Sequence, residues 1–138
     1  SDDIKFTFDV PKEMNPVNVD KDLIRIALTN LLSNAVKYNR PGGEVQLSIE
    51  ETEDAVQIRV ADSGIGVSEE EAASIFDKFY RSTDDRLQAV GGHGLGLALS
   101  KQIIELHHGS LSLDRDRTEG TEFIINLWKE TTAVRQSI

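Results

Sequence analysis

The sequence contains no cysteine, so disulfides and thiolate metal centres are excluded. Histidine is scarce as well: His93, His107 and His108 form no spaced set of the His-x-x-x-His kind that binds zinc. No apolar run approaches the roughly 20 residues that span a bilayer, and the acidic opening Ser1-Asp2-Asp3 lacks the positive start of a signal peptide. A cytoplasmic domain is expected, and an inner-membrane anchor elsewhere in a full-length protein stays compatible with it. Basic residues are outnumbered, 15 Lys and Arg against 24 Asp and Glu, and the resulting net charge of −9 repels a phosphate backbone. Nucleic acid is therefore not an expected partner. Any anionic ligand must be held by local groups, and Mg²⁺, which prefers oxygen, remains open as a metal.

What is present fits one domain: 138 residues with 38% hydrophobic content supply one core and hardly two. Ile4, Phe6, Phe8 and Val10 alternate with Lys5, Thr7 and Asp9, the period of a half-buried strand. Over residues 20–38, Asp20 is a good N-cap and Ile24, Leu28, Leu31 and Ala35 recur at helical spacing until Arg40-Pro41-Gly42-Gly43 breaks the pattern. Val45, Leu47 and Ile49, then Val56, Ile58 and Val60, alternate on either side of an acidic turn at 51–54 and read as a hairpin ending on Asp62. Ser68 with Glu71 forms a capping box for a short helix reaching about Lys78, followed by a long polar, glycine-rich loop over 81–94. Leu99, Ile103 and Leu106 mark a second long helix over 95–108, with Gly109 as its stop. Leu111 and Leu113, then Phe123, Ile125 and Leu127, supply a last hairpin turned at Glu119-Gly120, and 129–138 reads as a frayed tail. Two hairpins are incompatible with a purely parallel winding, so a mixed sheet covered on one face by helices is expected.

Three groups of residues carry candidate chemistry. Asn30, Asn34 and Lys37 stand at i, i+4 and i+7 and share one stripe of the first helix, where paired amides fit a polar cleft or, equally, a solvated face. Asp62-Ser63-Gly64-Ile65-Gly66 places an acid at a strand end before paired glycines. The carboxylate can accept a hydrogen bond from an exocyclic amine such as adenine N6 while the glycines let backbone approach a flat ring, though a simple helix-leading turn has the same composition. In Gly91-Gly92-His93-Gly94-Leu95-Gly96-Leu97 four glycines meet a helix start, where free N–H groups and the positive dipole end favour phosphate. A flexible loop entering a helix would look alike. Neither a P-loop nor a dinucleotide-binding fingerprint is present.

Taken in order, Asn30-Leu31-Leu32-Ser33-Asn34-Ala35-Val36-Lys37-Tyr38, Asp62-Ser63-Gly64-Ile65-Gly66, Phe76-Asp77-Lys78-Phe79-Tyr80-Arg81, Gly92-His93-Gly94-Leu95-Gly96-Leu97 and Gly120-Thr121 resemble the boxes of sensor histidine kinases. The resemblance covers nearly everything between residues 20 and 127. It implies the Bergerat ATP-binding fold, an α/β (α+β) two-layer sandwich: a mixed five-stranded sheet covered on one face by about three helices, over 1–128, with a lid at about 81–94 and a tail at 129–138. By position, Asn34 would coordinate Mg²⁺ through its amide oxygen, and Asn30 and Lys37 would face the phosphates of ATP. Tyr38 would lie near adenine and ribose, Asp62 would read the adenine amino group, and Gly64, Ile65 and Gly66 would line the base. Phe76 and Phe79 would anchor the lid, Arg81 would stabilise charge on the γ-phosphate, and Gly92, His93, Gly94, Leu95, Gly96 and Leu97 would wrap the phosphates. Thr121 would back the pocket. His93 departs from the small Ser or Thr usual there and is read as a solvated loop residue. His107 and His108 close a helix, where partial positive charge suits the dipole, and neither has the sequence setting of the family's acceptor histidines.

The same resemblance orders the alternatives. Gyrase-type and repair ATPases keep a water-activating Glu four residues before the magnesium asparagine, where this chain has Asn30. An anti-sigma-factor serine kinase shares the asparagine and glycine boxes but lacks the Phe76–Arg81 box, and a nucleotide-binding module without catalysis is the third alternative. The expected activity is transfer of the γ-phosphate to a histidine on a dimerisation hairpin normally N-terminal in the same chain, with a response regulator downstream. The isolated domain is expected as a monomer and the full-length protein as a homodimer.

Overall fold

The computed structural model describes residues 3–14, 17–68, 72, 74–76, 96–114 and 119–129. In chain order these form β1 (Lys5–Asp9), α1 (Lys21–Lys37), β2 (Glu44–Glu51), β3 (Ala55–Asp62), α2 (Gly96–Leu106), β4 (Ser110–Leu113) and β5 (Thr121–Trp128). The five strands make one sheet in the order β1-β2-β3-β5-β4. β1 pairs with β2 in parallel and the remaining pairs are antiparallel, so the sheet is mixed as expected. Of the expected helix over 68–78, only Ser68, Ala72 and 74–76 are described, joined by the Ala72 N–H donating to the Ser68 carbonyl at 3.0 Å. Among the described residues no helix is long and apolar enough to cross a membrane.

α1 starts where Asp20 caps it, its Oδ1 accepting from the N–H groups of Asp22 at 3.0 Å and Leu23 at 3.1 Å. These satisfy two of the four orphan donors of a first turn. The apolar stripe then places Ala27, Leu31 and Ala35 in the core against Val45, Val56, Ile58, Val60, Phe123 and Ile125. Each fully buried aliphatic side chain contributes roughly 1.5–3 kcal/mol. α2 lies beside α1 through small residues: Ser100, fully buried, donates to the Ala27 carbonyl at 3.0 Å. The other sheet face is polar, with Arg59 reaching Glu122 at 3.3 Å and Asp114 at 3.6 Å. Being partly exposed, such pairs contribute at most about 1 kcal/mol. Lys129, expected in the tail, is held by its N–H to the Asp54 carbonyl and by its ammonium to Glu51, both at 2.9 Å; residues 130–138 lie outside the described residues.

Three local expectations are corrected. β1 is exposed along its whole length, with Phe6 at 47% and Phe8 at 63%, because α1 lies over β2 and β3 and leaves the sheet edge uncovered. His107 is not a cation serving the helix dipole: its Nδ1 donates to the Ile103 carbonyl at 2.8 Å and its Nε2 accepts from the Asp20 N–H at 3.0 Å. Only a neutral ring makes that pair of bonds, and it clamps the end of α2 to the start of α1. At the α2 stop the left-handed residue is His108, φ 61°, with the Gly109 N–H closing onto the Ile104 carbonyl at 3.0 Å. Gly109 is glycine for another reason, since a Cβ there would overlap the Asn126 carbonyl of β5. His108→Gly is therefore expected to stabilise the fold by about 0.5 kcal/mol, relief of the left-handed strain exceeding the extra entropy of the unfolded chain. Thermal unfolding should show a midpoint roughly 2 °C higher; a lower midpoint would refute the account.

Candidate functional site

The chemistry-bearing segments meet at one end of the sheet, where β3 finishes, β5 starts and α1 and α2 lie side by side. β3 ends on Asp62, a carboxylate only 6% exposed. Its Oδ1 accepts from the Gly64 N–H at 2.8 Å and the Thr121 N–H at 3.3 Å, so the acid folds its own loop and fastens it to β5. Gly120, φ 67°, passes so close to β3 that a Cβ would overlap the Asp62 carbonyl oxygen. The Gly120-Thr121 pair thus supplies two main-chain features: a flush crossing and one N–H on the acid.

The loop after Asp62 is fastened equally to α1. The Ile65 N–H donates to the Tyr38 carbonyl at 3.2 Å, and a Cβ on Gly64 would overlap that same oxygen. Gly66, φ 85°, makes the turn that brings this loop alongside Gly120. Ile65 is half-buried, and Tyr38, likewise half-buried, caps α1 through its N–H to the Asn34 carbonyl at 3.1 Å. A supporting network escaped the sequence reading. Ser63 Oγ accepts from the Glu44 N–H at 2.8 Å and donates to Asn39 Oδ1 at 3.1 Å, while Asn39 Nδ2 donates to the Glu44 carbonyl at 2.9 Å. It locks the α1–β2 turn onto the end of β3. The available signal was an Asn directly after a helix, a common cap, but its partner Ser63 is distant in sequence.

On α1 the stripe of Asn30, Asn34 and Lys37 divides. Asn30 Nδ2 donates to the Gly96 carbonyl at 3.3 Å, tying the asparagine helix to the first turn of α2. The Asn34 amide, half-buried, and the exposed Lys37 ammonium have no hydrogen-bond or ion-pair partner among the described residues. α1 carries one acid, Asp22, at its far end, so no carboxylate lies in the stripe. Leu97 follows Gly96 and packs against the core, as does Phe76, whose ring meets Phe123 edge-on at 5.9 Å with the Lys101 ammonium 4.8 Å above it. Phe79, Arg81, Gly92, His93, Gly94 and Leu95 lie outside the described residues. Among the described residues no group of three or more His, Cys, Asp or Glu could hold a metal.

Known proteins share this arrangement. Residues 19–131 match the family described as histidine kinase-, DNA gyrase B- and HSP90-like ATPase. The sensor histidine kinase WalK of Bacillus subtilis (strain 168) is 36% identical over 126 residues, 90% of this chain and 21% of WalK, so the chain spans about a fifth of that relative. The mycobacterial sensor histidine kinase MprB superposes with a TM-score of 0.80 at 30% identity, covering 92% of this chain and 84% of the MprB chain. The histidine kinase ThkA, solved in complex with the response regulator protein TrrA, superposes with a TM-score of 0.74 at 28% identity over 91% of this chain and 34% of ThkA. With the family match covering most of its length, the chain belongs to the histidine kinase-, DNA gyrase B- and HSP90-like ATPases, as an ATP-binding domain of the sensor histidine kinase type.

Proposed function

We propose that this domain binds Mg-ATP and presents the γ-phosphate to a histidine on a separate helical hairpin, from which the phosphoryl group passes to an aspartate of a response regulator. Adenine would sit at the end of β3 with its amino group donating to Asp62, in a slot that Gly64 and Gly66 keep free of side chains. The phosphates would lie between the α1 stripe and the first turn of α2, where Lys37 supplies charge and the helix start supplies N–H groups. Asn34 would hold Mg²⁺ through its amide oxygen, and the bound ion would neutralise charge on the phosphate oxygens. The acceptor imidazole forms a bond to the γ-phosphorus, the bond to the β–γ bridging oxygen breaks, and ADP leaves with that electron pair. Arg81 is proposed to stabilise the charge that develops on the transferred group.

The observation that carries this reading is Asn30. Bonded to Gly96 at the junction of the two helices, it puts an amide where water activation would require a carboxylate. Water is then a poor nucleophile and the γ-phosphate is kept for a better one. The test is to mix the domain and Mg-ATP with a separately made hairpin bearing the acceptor histidine and to follow acid-labile phosphate. Transfer that depends on the histidine is expected, with hydrolysis in its absence far slower. An intact cognate hairpin left unlabelled, or hydrolysis as fast as transfer, would overturn the reading.

A further inference from the structure

The exposed aromatic residues of β1 have no role in the nucleotide site. β1 is the sheet edge, paired with β2 on one side and, among the described residues, with nothing on the other. Phe6 and Phe8 are stacked at 6.4 Å with planes 9° apart, and they stand in register with the buried Val45 and Leu47. They therefore extend the helix-side face of the sheet past the last residue that α1 covers. Val10, 50% exposed, continues the row.

We propose that β1 is a self-association surface on which a second copy of this chain pairs antiparallel about a twofold axis through Thr7. Backbone parity permits it. The Lys5 N–H donates to the Gly43 carbonyl at 2.9 Å, so in a parallel ladder Lys5, Thr7 and Asp9 spend their backbone groups on β2. Phe6 and Phe8 then direct their N–H and carbonyl groups to the open edge. About Thr7, Phe6 of one copy faces Phe8 of the other in a hydrogen-bonded pair, twice over, and the four rings form one apolar ribbon joining the two cores.

Charge selects this register. A twofold at Thr7 sets Lys5 opposite Asp9 of the second copy at both ends of the strand, whereas a twofold at Phe6 sets Lys5 opposite Thr7 and Asp9 opposite Asp3, and a twofold at Phe8 sets Asp9 opposite Thr7 and Lys5 opposite Pro11. Lysine on an edge strand ordinarily guards against pairing. Here an acid four residues along cancels that guard in the one register that also matches the aromatics. The strand is short and each copy carries a net charge of −9, so the pair belongs with weak, concentration-dependent interfaces. This departs from the monomer expected from the sequence for the isolated domain.

The absence of native cysteine gives a direct test. In the 138-residue chain, Thr7→Cys places the two thiols directly opposite, at a Cα separation of about 4.5 Å that a disulfide can bridge. Lys5→Cys places them four residues out of step, roughly 13 Å apart. Under mild oxidation the Thr7 variant is expected to form a covalent dimer at least about tenfold faster than the Lys5 variant; equal rates, or no dimer from Thr7→Cys, would overturn the proposal. Independently, sedimentation of Lys5→Asp and of Asp9→Lys should each show association weakened by about tenfold, and the double swap should restore it. Failure of the double swap to restore association would overturn the register. A partner seated on β1 from elsewhere in a longer protein would show as association insensitive to these charges, which also counts against the proposal.

Discussion

Replacing Asn34 by alanine is expected to lower affinity for Mg-ATP on the order of 100-fold while leaving the melting temperature unchanged or slightly raised. The two halves of that expectation come from one fact. Asn34 lies half-buried on α1, and its amide has no hydrogen-bond partner among the described residues, so no hydrogen bond within them is lost when the amide goes. Alanine is the better helix former by a few tenths of a kcal/mol, which favours the variant as a folded domain. Affinity moves the other way, because the amide oxygen would be the protein's direct ligand to the ion, and even partners one shell removed from a metal cost about 10–100-fold when removed. Calorimetric titration with ATP, with and without Mg²⁺, separates the effects: the loss should be large with the ion and small without it. An affinity for Mg-ATP within about twofold of the starting protein would remove Asn34 from the metal role. A residue that costs binding but not stability is one retained for a ligand.

Local pattern made α1 legible nearly to the residue, since its cap, its apolar stripe and the Arg40-Pro41-Gly42-Gly43 break beyond its Tyr38 cap are all near neighbours in sequence. The hairpins were legible for the same reason. The strand order was not: β5 inserts between β3 and β4, a choice made by burial of Phe123, Ile125 and Leu127 against Val56, Ile58 and Val60, far apart in the chain. Exposure of β1 was hidden as well, because alternation reports that a strand has an apolar face but not whether a helix lies over it. At the site, the acid and the glycines were readable as types and their reasons were not. Gly64 is dictated by the Tyr38 carbonyl and Gly120 by the Asp62 carbonyl, two contacts between segments that meet only in the folded sheet. Thr121, expected to back the pocket, donates its N–H to Asp62, a contact between strands that local pattern does not report.

The last of these contacts decides how Asp62 should be tested. Alanine at 62 would strip an acceptor from two N–H groups at the end of the sheet, costing about 1–3 kcal/mol for each donor left unsatisfied, and lost binding could then be blamed on lost folding. Asp62→Asn avoids this. Its amide oxygen can keep accepting from Gly64 and Thr121, while its NH₂ takes the place of the second carboxylate oxygen. Facing adenine, a donor would then meet a donor, and an interaction with a charged acceptor worth about 1.5–3 kcal/mol becomes a repulsion. ATP affinity is expected to fall at least about tenfold, with the melting temperature changed by no more than a few degrees. Guanine presents a carbonyl where adenine presents its amine, so GTP should lose nothing and the preference between the two nucleotides should narrow or invert. Calorimetry with both nucleotides on both proteins reads this directly. If the starting protein binds ATP and GTP equally, or if the substitution weakens both alike, Asp62 does not read the base and serves only to fasten β3 to β5.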